Sequence, residues 1–147
     1  MNQAGFTPLV EGPRRWDVLA GFMLEQKYRT FVEVGCKEGR TTGHILKTVP
    51  DSRVIAIDPW CAMPDQKGVK GGETYEEWDF AKIEAQFWEN AGDVGDRVLQ
   101  LRQTSERASE LMAASMRPGH SLATGMSFPD GVDIIFIDAA HDYENVK

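Results

Sequence analysis

The sequence predicts an α/β fold with a doubly wound, mostly parallel sheet. Four short and almost purely apolar runs alternate with longer segments in which apolar residues recur at helical spacing. Strands that are apolar on both faces are typical of parallel sheets covered by helices on both sides. Three of these strands end in an acid, Glu33, Asp58 and Asp138. Because parallel strands end at the same edge of a sheet, we expect the three acids to lie where ligands of such folds bind.

Each element follows from local sequence signals. Pro13 suits the first turn of a helix, and Thr74 with Glu77 forms a capping box that predicts a helix start. Gly92 is a typical helix stop. The predicted strands are 30–35, 53–58, 97–101 and 132–137. The predicted helices run from residue 13, over 40–49, from 74 to about 90, over 105–116, and from the residues after 138.

Length and composition indicate one globular domain. The chain has 147 residues, of which 41% are hydrophobic and 27% are charged, and its net charge is −7. This charge argues against non-specific nucleic-acid binding, and the longest apolar run, 132–137, is too short to span a membrane. Cys36 and Cys61 show no metal or redox spacing, and no signal peptide is apparent. We expect a cytoplasmic protein with a flexible arm over 1–12 and one folded domain over 13–147.

The segment from Glu33 to Gly39 has the layout of a strand that ends at a small-molecule pocket. Gly35 and Gly39 allow backbone angles and a close ligand approach that a Cβ would block. Lys37 stands where dinucleotide-binding loops carry their middle glycine, so the fit to nicotinamide or flavin dinucleotides is poor. Lys37 itself is expected to be a solvated loop side chain. The alternative interpretation of the segment is a tight turn that binds no ligand.

Two residues after the second strand are also candidates. Asp58 has the right type and position to accept hydrogen bonds from both hydroxyls of a ribose, or else it is a helix cap or a turn acid ahead of Pro59. Trp60 either lies against an adenine face or belongs to the core or a lid.

The fourth strand delivers Asp138 to the edge of the sheet, and His141 follows three residues later. A histidine at a pocket mouth can act as a general base near neutral pH, although a capping or surface histidine is an equal alternative. A carboxylate beside it can position the histidine, hold a ligand amine or contribute an oxygen to a metal ion. His44 and His120 lack such neighbours and are expected to be structural or solvated.

Four segments in order resemble the class I S-adenosylmethionine-dependent methyltransferases, which have a Rossmann-like fold. They are Val-Glu-Val-Gly-Cys-Lys-Glu-Gly-Arg-Thr-Thr at 32–42, Ile-Asp-Pro-Trp at 57–60, the stretch 87–108 and Ile-Asp-Ala-Ala-His-Asp-Tyr-Glu at 137–144. The last segment is similar to the branch whose fourth strand reads Ile-Asp-x-x-His-x-Tyr-Glu, the group that contains macrocin-type sugar O-methyltransferases.

The resemblance implies a role for each candidate in binding S-adenosylmethionine. Gly35 and Gly39 would let the backbone approach the methionine part, and Glu33 would bind its ammonium group directly or through water. The other implied contacts are Asp58 to the ribose, Trp60 near the adenine, Thr104 or Ser105 at the adenine edge, and Asp138 near the sulfonium. His141 would be the catalytic base, with Asp138 beside it, in the methylation of an oxygen on a small-molecule acceptor.

The resemblance also sets expectations about assembly. A full member of this fold has seven strands, whereas the sequence supplies four, so the sheet is expected to be truncated after the fourth strand. By analogy the strand order is 3-2-1-4, which leaves an apolar edge at the fourth strand. Such edges favour pairing, so we expect self-association through it or a fragment of a longer protein.

Other activities remain open from the sequence. Mg²⁺ is an optional second ligand of the site, with Asp138 as one donor and the further ligands unknown. A cofactor-binding domain without methyltransferase activity is the main alternative, and an NAD-dependent oxidoreductase is disfavoured by Lys37 and Glu33.

Overall fold

The computed structural model describes residues 12–62, 78–115 and 131–138. Its four strands are β1 (Thr30–Val34), β2 (Arg53–Ile57), β3 (Val98–Leu101) and β4 (Ile134–Ile137). Its four α-helices are α1 (Arg15–Gln26), α2 (Arg40–Thr48), α3 (Phe80–Ala91) and α4 (Ser105–Ser115), and a short 3-10 helix, Gly95–Arg97, precedes β3. None of the helices in these ranges is long and apolar enough to cross a membrane.

The strands form one sheet in the order β3-β2-β1-β4, and every neighbouring pair is parallel. This confirms the predicted α/β class and the predicted strand order. The chain moves outward from β1 through β2 to β3 and then crosses back to place β4 on the other side of β1. The strand order therefore reverses at β1, which is the point where α/β sheets bind ligands.

The described helices cover the two faces of the sheet unequally. On one face α1, α2 and α3 pack over a core that includes Met23, Ile45 and Phe87. On the other face α4 packs Ala108 and Met112 over the apolar side chains of the three strands β1, β2 and β3. At β4 this second face is open in the described structure, where Ile135 and Ile137 are 54% and 46% exposed.

The helix before the third strand begins later than predicted. The capping box was placed at Thr74 and Glu77, which lie outside the described residues, and Trp78 was assigned to the helix. Instead, α3 starts at Phe80, after Trp78, because the Asp79 carboxylate accepts a hydrogen bond from the Lys82 N–H at 3.0 Å and caps the first turn. The predicted stop at Gly92 is confirmed: its N–H donates to the Trp88 carbonyl at 2.9 Å, and its φ is +80°.

Two glycines allow α3 to approach the rest of the molecule closely. A Cβ on Gly43 of α2 would lie 2.3 Å from the Asn90 carbonyl oxygen, and a Cβ on Gly39 would lie 2.5 Å from the Phe87 ring. The Asn90 side chain also donates a hydrogen bond to the Glu38 carbonyl at 2.7 Å. Packing against α3 thus determines where the loop between β1 and α2 lies.

Candidate active site

The acids at the ends of β1, β2 and β4 lie at the same edge of the sheet, as predicted. Asp58 directly follows β2, and its N–H donates to the Leu101 carbonyl at 3.2 Å. Asp138 directly follows β4, and its N–H donates to the Val34 carbonyl at 2.8 Å. Backbone pairing thus continues past the strand ends and places both acids at the edge of the sheet where β1 ends, one residue after Glu33.

The loop from Gly35 to Gly39 turns sharply between β1 and α2. Gly35, Lys37 and Gly39 have φ values of +88°, +49° and +71°, in the left-handed region that favours glycine. The Gly35 N–H donates to the Ile57 carbonyl at 2.8 Å, which ties the loop to the end of β2. At Gly39 the space that a side chain would take is filled by the Phe87 ring. The absence of a Cβ at Gly39 therefore serves packing against α3, and the predicted approach to a ligand is not needed to explain it.

Glu33 is buried and caps the first turn of α2. Its side chain is 2% exposed, and its Oε2 accepts hydrogen bonds from the Thr42 N–H at 3.1 Å and the Thr42 hydroxyl at 2.6 Å. The residue before α2, Gly39, has no side chain with which to cap the helix. Glu33 thus supplies, from the neighbouring strand, the acceptor that the helix start requires.

Burial governs the charge of Glu33. Loss of solvation raises the pKa of the carboxyl group from 4.5 to about 7, and the Asp138 charge adds to this rise. The hydroxyl groups of Thr42 and Thr41 and the Thr42 N–H act in the opposite direction. The Thr41 hydroxyl is buried beside the same carboxyl group and lowers its pKa, although it makes no hydrogen bond of good geometry among the described residues. The start of α2 therefore combines a costly buried acid with a hydroxyl that lacks a well-formed hydrogen bond.

Asp58 joins the loop after β1 to the end of β2. One carboxylate oxygen accepts from the Lys37 N–H at 2.9 Å and the other from the Trp60 N–H at 2.8 Å. Burial raises the pKa of Asp58, and these two bonds partly counteract the rise. The residue thus serves as the turn acid that was the alternative interpretation. Each oxygen retains capacity for a second hydrogen bond, so contact with a ribose is compatible with this role.

The Trp60 side chain lies in the core. It is 2% exposed, its Nε1–H donates to the Lys37 carbonyl at 3.0 Å, and its ring meets Phe87 edge to face at 5.2 Å. The burial of the ring agrees with the core alternative, and its contact with an adenine stays a prediction. Trp60 shapes the site by holding the Lys37 backbone.

The remaining cofactor candidates lie at the start of α4. Thr104 is half-buried and Ser105 is exposed. The Thr104 hydroxyl accepts a hydrogen bond from the Arg107 N–H at 3.3 Å, as a helix cap does. Both residues follow β3, so they lie at the same edge of the sheet as Asp58.

Two residues at this edge were not predicted as site residues. Arg15, the first residue of α1, forms an ion pair with Asp138, with Nη1 and Oδ2 2.7 Å apart. Lys37 is exposed as predicted, but its ammonium lies over the Trp78 ring, 4.1 Å from the ring centre. The side chains of Lys37 and Trp78 line an open cleft of about 260 Å³ beside the start of α3. The contacts of Arg15 and Lys37 join segments far apart in the sequence, so no local sequence pattern predicts them.

The catalytic candidate His141 lies outside the described residues, together with most of the segment 137–144. Within 12–62, 78–115 and 131–138, no three His, Cys, Asp or Glu side chains come close enough to hold a metal ion. The predictions about His141 and Mg²⁺ therefore stay predictions.

The chain is similar to one protein family and to solved structures, but not to the curated proteins. Comparison with curated proteins found no match. One similar solved structure is the O-methyltransferase TomG from Streptomyces achromogenes, which is involved in tomaymycin synthesis and is in complex with SAM. It has 20% identity and a TM-score of 0.49, over 85% of this chain and 43% of that one. Another is a cyclopropane-fatty-acyl-phospholipid synthase-like protein from Lactobacillus casei, with 17% identity and a TM-score of 0.36, over 63% of this chain and 31% of that one.

The chain thus spans less than half the length of either solved structure. A family model described as a methyltransferase domain matches residues 32–147, which include most of β1, the other three described strands and the three acids Glu33, Asp58 and Asp138. Because this match covers most of the sequence, the chain belongs to the methyltransferase domain family.

Proposed function

We propose that the carboxyl edge of this sheet binds S-adenosylmethionine and that the protein transfers its methyl group to an oxygen of a small molecule. The observation that carries the proposal is that Glu33, Asp58 and Asp138 lie at one edge of the sheet, where the strand order reverses. Three carboxylates at one edge suit a cationic ligand that carries a ribose, and they do not suit a pyrophosphate. Membership of the methyltransferase domain family supports the same ligand.

The residues at the start of α2 fit the methionine end of this ligand. Glu33 is a buried acid with a raised pKa, and the Thr41 hydroxyl beside it makes no hydrogen bond of good geometry in the described structure. An ammonium group nearby would offset the cost of ionising Glu33 and could satisfy polar atoms at this position. We therefore assign the ammonium to Glu33, directly or through water, with Gly35 beside the rest of the methionine part.

The residues that follow β2 and β3 are assigned to the ribose and the adenine of the ligand. Asp58 retains one acceptor site on each oxygen, which allows it to bind the ribose hydroxyls while it holds the loop. Thr104 and Ser105 at the start of α4 are assigned to the adenine edge. Trp60 supports this region from the core.

The chemistry needs alignment more than it needs acid or base strength. S-adenosylmethionine supplies a methyl group on a positively charged sulfur. The protein holds the acceptor oxygen in line with that carbon, and a base removes the hydroxyl proton where the acceptor is not already ionised. We assign the base to His141 and the sulfonium side of the pocket to Asp138. As acceptor we propose a small molecule such as a sugar, by analogy with the macrocin-type branch. Any Mg²⁺ would take Asp138 as one ligand.

The direct test of ligand class is a calorimetric titration with S-adenosylmethionine, S-adenosylhomocysteine and NAD. We expect both sulfur nucleotides to bind and NAD to give no heat. Binding of NAD alone would contradict the proposal and would favour an oxidoreductase. Binding of both sulfur nucleotides without methyl transfer to any hydroxylated acceptor would favour a cofactor-binding domain.

Asp58→Ala should weaken binding of S-adenosylmethionine by about 1–3 kcal/mol, the usual loss for polar groups left without a partner. The control is Asp93→Ala, which removes the same charge from an exposed position after α3. Thermal unfolding of both variants separates a loosened loop from a lost ligand contact. Equal affinities for the two variants would remove Asp58 from the site.

We also propose that the protein self-associates through β4. Among the described strands β4 has a neighbour on one side only, β1, and its side chains Ile135 and Ile137 are about half exposed. An unpaired apolar edge is a template for pairing with another chain. Ile135→Lys should shift light-scattering masses toward the monomer, whereas Val18→Lys, at a similarly exposed position on α1, should not. A wild-type protein that is monomeric at all concentrations would contradict this proposal.

A further inference from the structure

Two arginines stand at the start of α1, where helix electrostatics do not favour them. Arg14 is the residue before the helix and Arg15 is its first residue. The N-terminal end of a helix carries partial positive charge, so cations there are unfavourable and acids are favoured. The last turn of α1, where cations would be stabilising, has none. Helix stability therefore does not explain Arg15, and its contact with the sheet edge needs a separate explanation.

Arg15 reaches the candidate site from this position. Its guanidinium lies 2.7 Å from the Asp138 carboxylate and 6.0 Å from the centre of the Phe136 ring. Phe136 lies opposite Glu33 in the register between β1 and β4. The side chain of Arg15 is 52% exposed and that of Asp138 is 22% exposed. A cation is thus held at the edge of the sheet, beside the acids that we assign to a cationic ligand.

We infer that Arg15 competes with the sulfonium of the methyl donor for Asp138 and so controls how strongly the site prefers donor over product. This inference rests on the proposed function. Two cations cannot both approach one carboxylate without repelling each other, and the neutral thioether of S-adenosylhomocysteine does not meet that repulsion. Arg15 therefore reduces the preference for the charged donor. It is a specificity-determining residue that acts through Asp138.

The test compares the affinities of S-adenosylmethionine and S-adenosylhomocysteine for wild type and Arg15→Gln by calorimetry at low salt. The two nucleotides share the ammonium, ribose and adenine and differ in the charge on sulfur. We expect Arg15→Gln to shift the ratio of the two dissociation constants toward S-adenosylmethionine by about three- to fivefold, the range of a half-exposed ion pair. The shift should shrink as salt is added, because screening weakens exposed charges.

Two further variants sharpen the comparison. Arg14→Gln removes the same charge one residue earlier, where the guanidinium lies over the Trp16 ring at 5.5 Å, and should leave the ratio unchanged. Arg15→Lys keeps the charge but loses the planar fork that suits a carboxylate, so it should shift the ratio in the same direction by a smaller factor. It also serves if Arg15→Gln is too unstable to titrate.

An unchanged ratio in the Arg15 variants, or an equal shift with Arg14→Gln, would overturn the inference and leave the proposed function standing. An equal increase in the affinity of both nucleotides would also overturn the inference, because Arg15 would then compete with a group that the two nucleotides share. Failure of the wild type to bind either nucleotide would overturn the proposed function and this inference with it.

Discussion

Glu33 shows at the scale of one residue how a site and a fold make conflicting demands. The carboxylate stabilises the start of α2 through Thr42, yet burial makes its ionised form costly. The folded protein therefore binds a proton at Glu33 more tightly than the unfolded chain does. Stability from this group is fully present below pH 4.5, its ordinary pKa, and is lost as the pH rises to about 7.

Glu33→Gln should remove this pH dependence. The amide keeps an oxygen that can accept from Thr42 but cannot ionise, so the variant should gain on the wild type by about 2–3 kcal/mol between pH 5 and pH 8. Urea unfolding of both proteins at several pH values measures the difference. Groups such as Asp58, whose pKa is also raised, titrate in both proteins and cancel. Parallel stability profiles would show that burial does not raise the pKa of Glu33.

Some site residues could be predicted from sequence because one local pattern identifies them. Asp58 and Asp138 follow apolar runs that read as strands, and the structure places both at the expected edge. The contacts of Arg15 and Thr42 could not be predicted. Arg15 lies on a helix and contacts Asp138, which is distant in sequence, and Thr42 contacts Glu33 on the other side of the loop between β1 and α2. Trp60 had two interpretations that no pattern separates, since a buried ring and a ligand-stacking ring have the same local sequence.

At the scale of elements, the packing of α2 against α3 determines the shape of the binding loop. Gly43 allows the α2 backbone to lie against the Asn90 carbonyl, and Asn90 in turn holds the Glu38 carbonyl in the loop. No side chain fits between the helices at this point. A change at Gly43 should therefore affect both the stability of the fold and the geometry of the loop.

Gly43→Ala should destabilise the protein by about 2–3 kcal/mol, because the new Cβ would meet backbone atoms that cannot turn aside. The control is Gly21→Ala in α1, where a Cβ would meet nothing within 4 Å and where alanine should stabilise the helix by about 0.5–1 kcal/mol. Both changes carry the same gain in helix propensity, so chemical denaturation isolates the contact. A Gly43→Ala variant as stable as wild type would mean that the helices are further apart than described.

Element types were predicted well and element starts less well. Apolar runs and helical spacing found every strand and α-helix of the described structure, since periodicity extends over many residues, but not the short 3-10 helix Gly95–Arg97. The predicted start of α3 was wrong because two capping signals lie within five residues of each other. The Asp79 side chain makes the cap, and the threonine signal at 74 could not be ranked against it from sequence.

At the scale of the whole molecule, the sheet order brings the candidate site together. Because β1 lies between β2 and β4, the acids that follow these strands converge on the loop after β1. The order was predicted by resemblance and is confirmed. The open face at β4 follows from the same order, since α4 covers the other three strands and leaves Ile135 and Ile137 exposed in the described structure.

Amide chemical shifts measured during a titration test residue by residue whether this edge of the sheet binds S-adenosylmethionine. We expect the largest changes in the backbone amides of Gly35, Lys37, Thr42, Asp58 and Asp138, and little change at Met112 in α4 or at Gly92. Changes confined to the groove between Arg40, His44 and Lys47 on the outer face of α2, or no changes at saturating ligand, would contradict this expectation.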